Sequence, residues 1–307
     1  PEASTGHDRG TGFGTLCSMT LMRRSRMLIG VAALAVIGAG CEVPDILPPG
    51  AAPVRYRDAI FTTVVKTSDI TYGSAKNLSN QTITLKLDIY KPPANDTVTS
   101  RPAIVWVHGG GFNSGNKSSP ELVDESNTFA KKGYVNASID YRLEPGGCSA
   151  SGPTPECINA ILEAKQDAQT AVAFLRTHAA TYRIDPARIA IGGTSAGAIT
   201  AMNVGYATAE TPASAVRAAV SLSGANLFST IGAGDAPALL FHGTADPLVP
   251  YQWAVNTANQ AKAAKLPVFL ETWPGAGHVP YVQFRDQILT QTQNFLWWEM
   301  DLQHAAH

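Results

Sequence analysis

The chain has 307 residues, 45% of them hydrophobic and 15% charged, and its 23 Lys and Arg against 24 Asp and Glu leave a formal net charge of -1. That balance excludes the basic footprint that phosphate neutralisation requires, so nucleic acid is not an expected partner. The apolar fraction excludes a disordered chain, and four cysteines are too few for a disulfide scaffold and lack Cys-x-x-Cys spacing for structural zinc.

Residues 1 to 21 show no apolar periodicity and read as a segment upstream of an export signal. That signal follows: Arg23, Arg24 and Arg26, then an apolar stretch from Met27 to Gly40, then Cys41. The stretch is shorter than the roughly 20 residues that span a bilayer, so a cleaved signal is expected rather than a transmembrane helix. Gly38-Ala39-Gly40-Cys41 resembles a bacterial lipobox, which makes Cys41 the candidate lipidation site and membrane attachment point. A secreted or periplasmic chain without lipid is the alternative. From residue 41 to 57 the chain carries Pro44, Pro48, Pro49 and Pro53, a composition that predicts an extended tether. The catalytic domain is expected over 58–307.

Apolar runs predict strands at Phe61 to Thr67, Thr82 to Tyr90, Ala103 to Val107, Val135 to Ile139, Arg188 to Ile191, Ala218 to Leu222, Ala238 to Phe241 and Val268 to Thr272. Helical periodicity marks Glu121 to Lys132, Glu156 to Tyr182, Ala196 to Ala207, Gln252 to Lys265 and Tyr281 to Leu302. This alternation predicts one α/β domain: a mostly parallel eight-stranded sheet, helices on both faces and an antiparallel pair at its start. Cys148 and Cys157 flank a Gly/Ser/Pro-rich loop and are expected to pair after export, a short-loop bridge worth about 2 to 3 kcal/mol. The other reading of the two is as free thiols.

In such a sheet, ligands gather at the carboxyl ends of the strands. Gly193-Thr194-Ser195-Ala196-Gly197 lies between a strand and an Ala-rich helix, which is the strand, turn, helix context of a nucleophile elbow. A serine needs a base, and of seven histidines His278 alone sits on a glycine-bounded loop between the last strand and the last helix. His108 and His242 each end a strand before glycine and read as turn residues. Asp246, just past the strand ending at Phe241, is the carboxylate that would orient His278; Asp235 precedes that strand and belongs at the opposite edge. His108-Gly109-Gly110-Gly111-Phe112 closes an earlier strand. The amides of Gly110 and Gly111, with that of Ala196, are the expected oxyanion donors.

Together, His108 to Phe112, Asp140-Tyr141-Arg142-Leu143, Gly193 to Gly197, His242-Gly-Thr-Ala-Asp246 and Gly277-His278 resemble the α/β-hydrolase carboxylesterases, in the bacterial branch near hormone-sensitive lipase and feruloyl esterases. The resemblance implies a serine ester hydrolase without metal or cofactor. The chain departs from that pattern at Thr194 and Ala198 and after Leu143. The short connection from Ser223 to Pro237 leaves no room for a large cap domain, so small or polymer-borne esters with short or exposed acyl groups are expected. A prolyl-oligopeptidase-like peptidase or an acyl transferase would use the same three residues and is the alternative.

Overall fold

A computed structural model describes residues 43–45, 53–148 and 154–305. The segment expected to be an export signal, and Cys41, lie outside the described residues. Eight strands form one sheet: β1 (Val65–Lys76), β2 (Thr82–Lys91), β3 (Arg101–Val107), β4 (Val135–Ile139), β5 (Ile184–Thr194), β6 (Ala218–Leu222), β7 (Ala238–Gly243) and β8 (Val268–Trp273). Their spatial order is β1-β2-β4-β3-β5-β6-β7-β8. β1 and β2 pair antiparallel, β2 lies antiparallel against β4, and from β4 to β8 every pairing is parallel. Six helices connect them: α1 (Pro120–Lys131), α2 (Pro155–Thr177), α3 (Ala179–Tyr182), α4 (Ala196–Gly205), α5 (Tyr251–Ala263) and α6 (Tyr281–Glu299).

Side-chain alternation along β3 explains the layering. Ala103, Val105 and Val107 join one apolar cluster with Ala164, Ala168 and Val172 of α2 and Ala201 and Met202 of α4, while Ile104 and Trp106 join a second with Phe129 of α1 and Ile288 and Phe295 of α6. Both faces of the central strands are thus covered by helices, and β3, β4, β6 and β7 are buried along their whole length. That is why these strands read in sequence as continuous apolar runs.

Several boundaries differ from the sequence reading: β1 runs on to Lys76 rather than Thr67, and β5 spans Ile184–Thr194 rather than Arg188 to Ile191. The first strand begins at Val65 rather than Phe61, because the amides of Ile60 and Phe61 are already committed to the carbonyl of Lys131. The long helix breaks at His178, where α2 ends and the single turn of α3 begins. The expected tether is the larger correction. Of its described residues, Tyr56 is fully buried and donates its amide to Lys132 O at 2.7 Å, and Arg55 makes a two-pronged bond to Asp96. Val43 packs on the second apolar cluster, and Trp298 Nε1 donates to Pro44 O. Proline content sets an extended backbone but says nothing of whether the neighbouring Val and Tyr find an apolar surface.

The Asp140 to Leu143 motif has a structural use. Arg142, 3% exposed, donates from Nε and Nη2 to the Asp167 carboxylate of α2, and from Nη1 to Lys76 O at the end of β1. It ties the end of β4 to a helix and to the edge hairpin. Removing one partner of such a buried pair strands the other charge, so Asp167→Ala is expected to lower unfolding free energy by about 3 to 5 kcal/mol. Chemical denaturation checks this.

Candidate active site

The candidate site sits at the carboxyl ends of β3, β5, β6, β7 and β8. At its centre the chain leaves β5 and enters α4 without a loop. Ser195 is the single turning residue, at φ 54° and ψ -117°, a conformation that non-glycine residues avoid at a cost of about 1 to 3 kcal/mol. The turn is possible because its neighbours lack side chains. A Cβ on Gly193 would lie 2.5 Å from Val107 O, and one on Gly197 2.0 Å from the same oxygen. Ser195 is anchored by its own amide, which donates to Leu222 O at 2.9 Å.

His278 lies between β8 and α6. Its Nε2 stands 2.7 Å from Ser195 Oγ and its Nδ1 2.8 Å from Asp246 Oδ2. Because a carboxylate can only accept, Nδ1 carries the proton toward Asp246 and Nε2 is free to accept from the serine hydroxyl. Asp246 is fully buried as a side chain. Burial opposes its charge, but hydrogen bonds from His242, His278 and the amides of Val249 and Leu248 outweigh it and hold the carboxyl well below the usual range. His242 is therefore more than a turn residue: its Nε2 donates to Val249 O at 2.9 Å and stands 3.2 Å from Asp246 Oδ2. Its position before Gly243 is the one trace of this in the sequence.

The glycine loop after β3 completes the geometry. Gly110 and Gly111 take φ of 111° and 59°, the left-handed region that suits glycine. The Gly110 carbonyl accepts from the Asn113 and Ser114 amides, and the Gly111 carbonyl accepts from Cys148. With the carbonyls so engaged, the amides of Gly110 and Gly111 donate to no group among the described residues. Ala196 is the first residue of α4, where an amide has no intrahelical acceptor. The loop is braced from below. Tyr141 donates to His108 O at 3.1 Å and stacks on the His108 ring at 4.3 Å, and burial pushes that imidazole down toward its neutral form.

Cys148 and Cys157 are joined by a disulfide, so the loop that backs Gly111 is tied to the first turn of α2. Two contacts had no sequence signal: Thr194 Oγ1 donates to Glu121 Oε1 of α1, and Ser223 Oγ accepts from the Val279 amide at 3.0 Å. Among the described residues no group of three or more potential metal ligands comes together. What the arrangement can do is move a proton from a serine hydroxyl to an imidazole beside a set of unengaged amides.

Comparison with known proteins agrees in kind. The BD-FAE family model matches residues 87–223, and the Phospholipase/Carboxylesterase model matches residues 156–296. An AB hydrolase superfamily protein of Schizosaccharomyces pombe is 31% identical over 130 residues, 41% of this chain and 33% of that protein. Phenmedipham hydrolase of Pseudarthrobacter oxydans is 37% identical over 115 residues, 37% of this chain and 21% of that protein. The chain thus spans about a third or less of the length of the curated relatives it matches. Among solved structures, the apo form of Thermogutta terrifontis esterase 2 superposes with a TM-score of 0.58 at 25% identity, covering 77% of this chain and 94% of that one. The propionate-bound form of the Thermogutta terrifontis enzyme gives 0.57 at 26%, covering 77% and 93%. From the sheet order, the strand-to-helix turn at Ser195 and these matches, the chain has the α/β-hydrolase fold and is similar to the carboxylesterase-type members of that superfamily.

Proposed function

We propose that the protein is a serine ester hydrolase working through an acyl-enzyme, with Ser195 as nucleophile, His278 as general base and Asp246 as its orienting acid. The observation that carries this reading is the unbroken chain of short contacts from Ser195 Oγ through His278 to the buried Asp246 carboxylate. In the first half-reaction His278 Nε2 takes the hydroxyl proton as Oγ attacks the ester carbonyl, and Asp246 stabilises the imidazolium that forms. Negative charge then develops on the carbonyl oxygen, where the amides of Gly110, Gly111 and Ala196 receive it; one such donor is worth about 100- to 1000-fold in rate. The imidazolium returns its proton to the departing alkoxide, leaving Ser195 acylated. Water activated by the same imidazole releases the acid.

Substrate size follows from the surroundings. Only a short connection separates β6 from β7, so nothing inserted there encloses the site. The butyrate- and propionate-bound structures of Thermogutta terrifontis esterase 2 are of a neighbour that holds short acids. Short or exposed acyl esters, free or borne on a polymer, are the proposed substrates. Export is proposed on the sequence from Arg23 to Cys41, with lipidation of Cys41 as the mode of attachment; intact mass of the mature chain from the membrane fraction decides it.

Three measurements test this reading. Ser195→Ala is expected to lower kcat at least about 1000-fold on p-nitrophenyl acetate, and retention of the parent rate would remove Ser195 from the mechanism. Asp246→Asn leaves the fold intact but presents the wrong tautomer, so kcat falls by about 10⁴-fold while KM changes little. Across p-nitrophenyl esters, kcat/KM is expected to peak at acyl lengths of about two to four carbons and decline beyond; a maximum at long chains would contradict the open site.

A further inference from the structure

We infer that Ser223 is a positioning residue: it latches the loop that carries the base, and without it His278 does not stay over Ser195. This rests on the proposed roles of Ser195, His278 and Asp246. Val279, next to the base, has φ 44°. A β-branched residue avoids that region, and the following Pro280 pushes it further toward extended backbone. The chain then makes a tight turn, with Pro280 at φ -78° and ψ 49° and the Tyr281 amide donating to Val279 O at 2.8 Å. A strained residue on a glycine-bounded loop relaxes unless its surroundings hold it. Among the described residues the Val279 amide has one acceptor, Ser223 Oγ at 3.0 Å.

Ser223 is well placed for this task. It is fully buried, immediately follows β6, and itself adopts φ 59°. Its amide donates to Phe241 O at 2.9 Å, one residue before His242, in the strand that leads to Asp246. The carbonyl of its neighbour Leu222 accepts the Ser195 amide at 2.9 Å. Ser223 and Leu222 therefore tie three segments together: the nucleophile turn, the strand that delivers the acid, and the base loop. The first two links are backbone bonds that any residue would make. The third depends on a hydroxyl, and only the third holds the base.

The test is a double-mutant cycle on the full chain with Ser223→Ala and Val279→Gly, because glycine adopts the left-handed region freely and has no need of a latch. Ser223→Ala is expected to lower kcat about 10- to 100-fold with KM within about twofold, the scale of a small misplacement of a catalytic group. Val279→Gly in the Ser223→Ala background should restore at least about fivefold of that loss. A second readout does not need turnover. The downfield proton resonance of the His278 Nδ1–H shared with Asp246 should broaden or vanish in Ser223→Ala and return in the double variant. Loss of ester hydrolysis in Ser195→Ala together with an unchanged resonance in Ser223→Ala would overturn the latch and leave the hydrolase reading standing. An undiminished rate in Ser195→Ala with a lost resonance in Ser223→Ala would do the reverse. Strict additivity of the cycle, or a Ser223→Ala effect that tracks a fall in Tm and a rise in KM, would also overturn the latch. If Ser223→Ala does not fold, Ser223→Cys, which keeps a weaker acceptor, should show an intermediate kcat, and a parent-like kcat would count against the proposal.

Discussion

Everything at the site depends on one crowded point, the approach of the Ser195 turn to the end of β3. Val107 O lies so close to both Gly193 and Gly197 that neither position has room for a methyl group. This packing forces the chain to reverse within one residue, which leaves Ser195 in a strained conformation with its hydroxyl outward and starts α4 at once. The early helix start in turn supplies the Ala196 amide. The same strand end launches the Gly109 to Gly111 loop, so the Ser195 hydroxyl and the amides of Gly110 and Gly111 are placed together by the pairing of β3 with β5. Strain of this kind persists only when its surroundings over-determine it, and the fully buried β3 and β4 beside it provide that rigidity.

Around this point the polar groups form layers. Asp246 receives two amides and two imidazoles, so its charge is fully satisfied although the side chain is sealed from water. The Gly109 to Gly111 loop rests on the stacked pair His108 and Tyr141, and behind Gly111 it meets Cys148, which is disulfide-bonded to Cys157. Arg142, one residue beyond Tyr141, pins the same stretch to Asp167. A segment that stands in the sequence only as one motif of the family resemblance is thus a chain of supports that runs from the core helix α2 to the floor of the site.

The Pro-rich segment before the domain shows how context overrides composition. Prolines and small residues from 41 to 57 predict an extended chain, but residues 55–57 form a turn, with Tyr56 at φ 68° and the Arg57 and Asp58 amides donating to Val54 O. Tyr56 is buried and Arg55 and Arg101 converge on Asp96, because the amino ends of the interior strands β3 and β4 offer an aromatic surface at Tyr134 and a carboxylate. Proline content reports neither the turn at Tyr56 nor its docking.

Strand and helix identities were legible in the residues because burial on both sheet faces writes itself as apolar runs, and helices as three- and four-residue spacing. That Ser195, Asp246 and His278 come together was legible as well, since a strained turn demands Gly193 and Gly197 and since strand order fixes which loops reach the carboxyl edge. The glycines at 110 and 111 announced themselves by the same backbone requirement. What tertiary structure alone decided are the contacts between side chains far apart in sequence. Thr194 on Glu121 and Ser223 on the Val279 amide carry no local pattern, because a single hydrogen bond across 56 or 73 residues imposes no periodicity and no turn chemistry on the chain. Local backbone geometry is encoded where it occurs; the bonds that hold one loop over another are encoded only in the packing that brings them together.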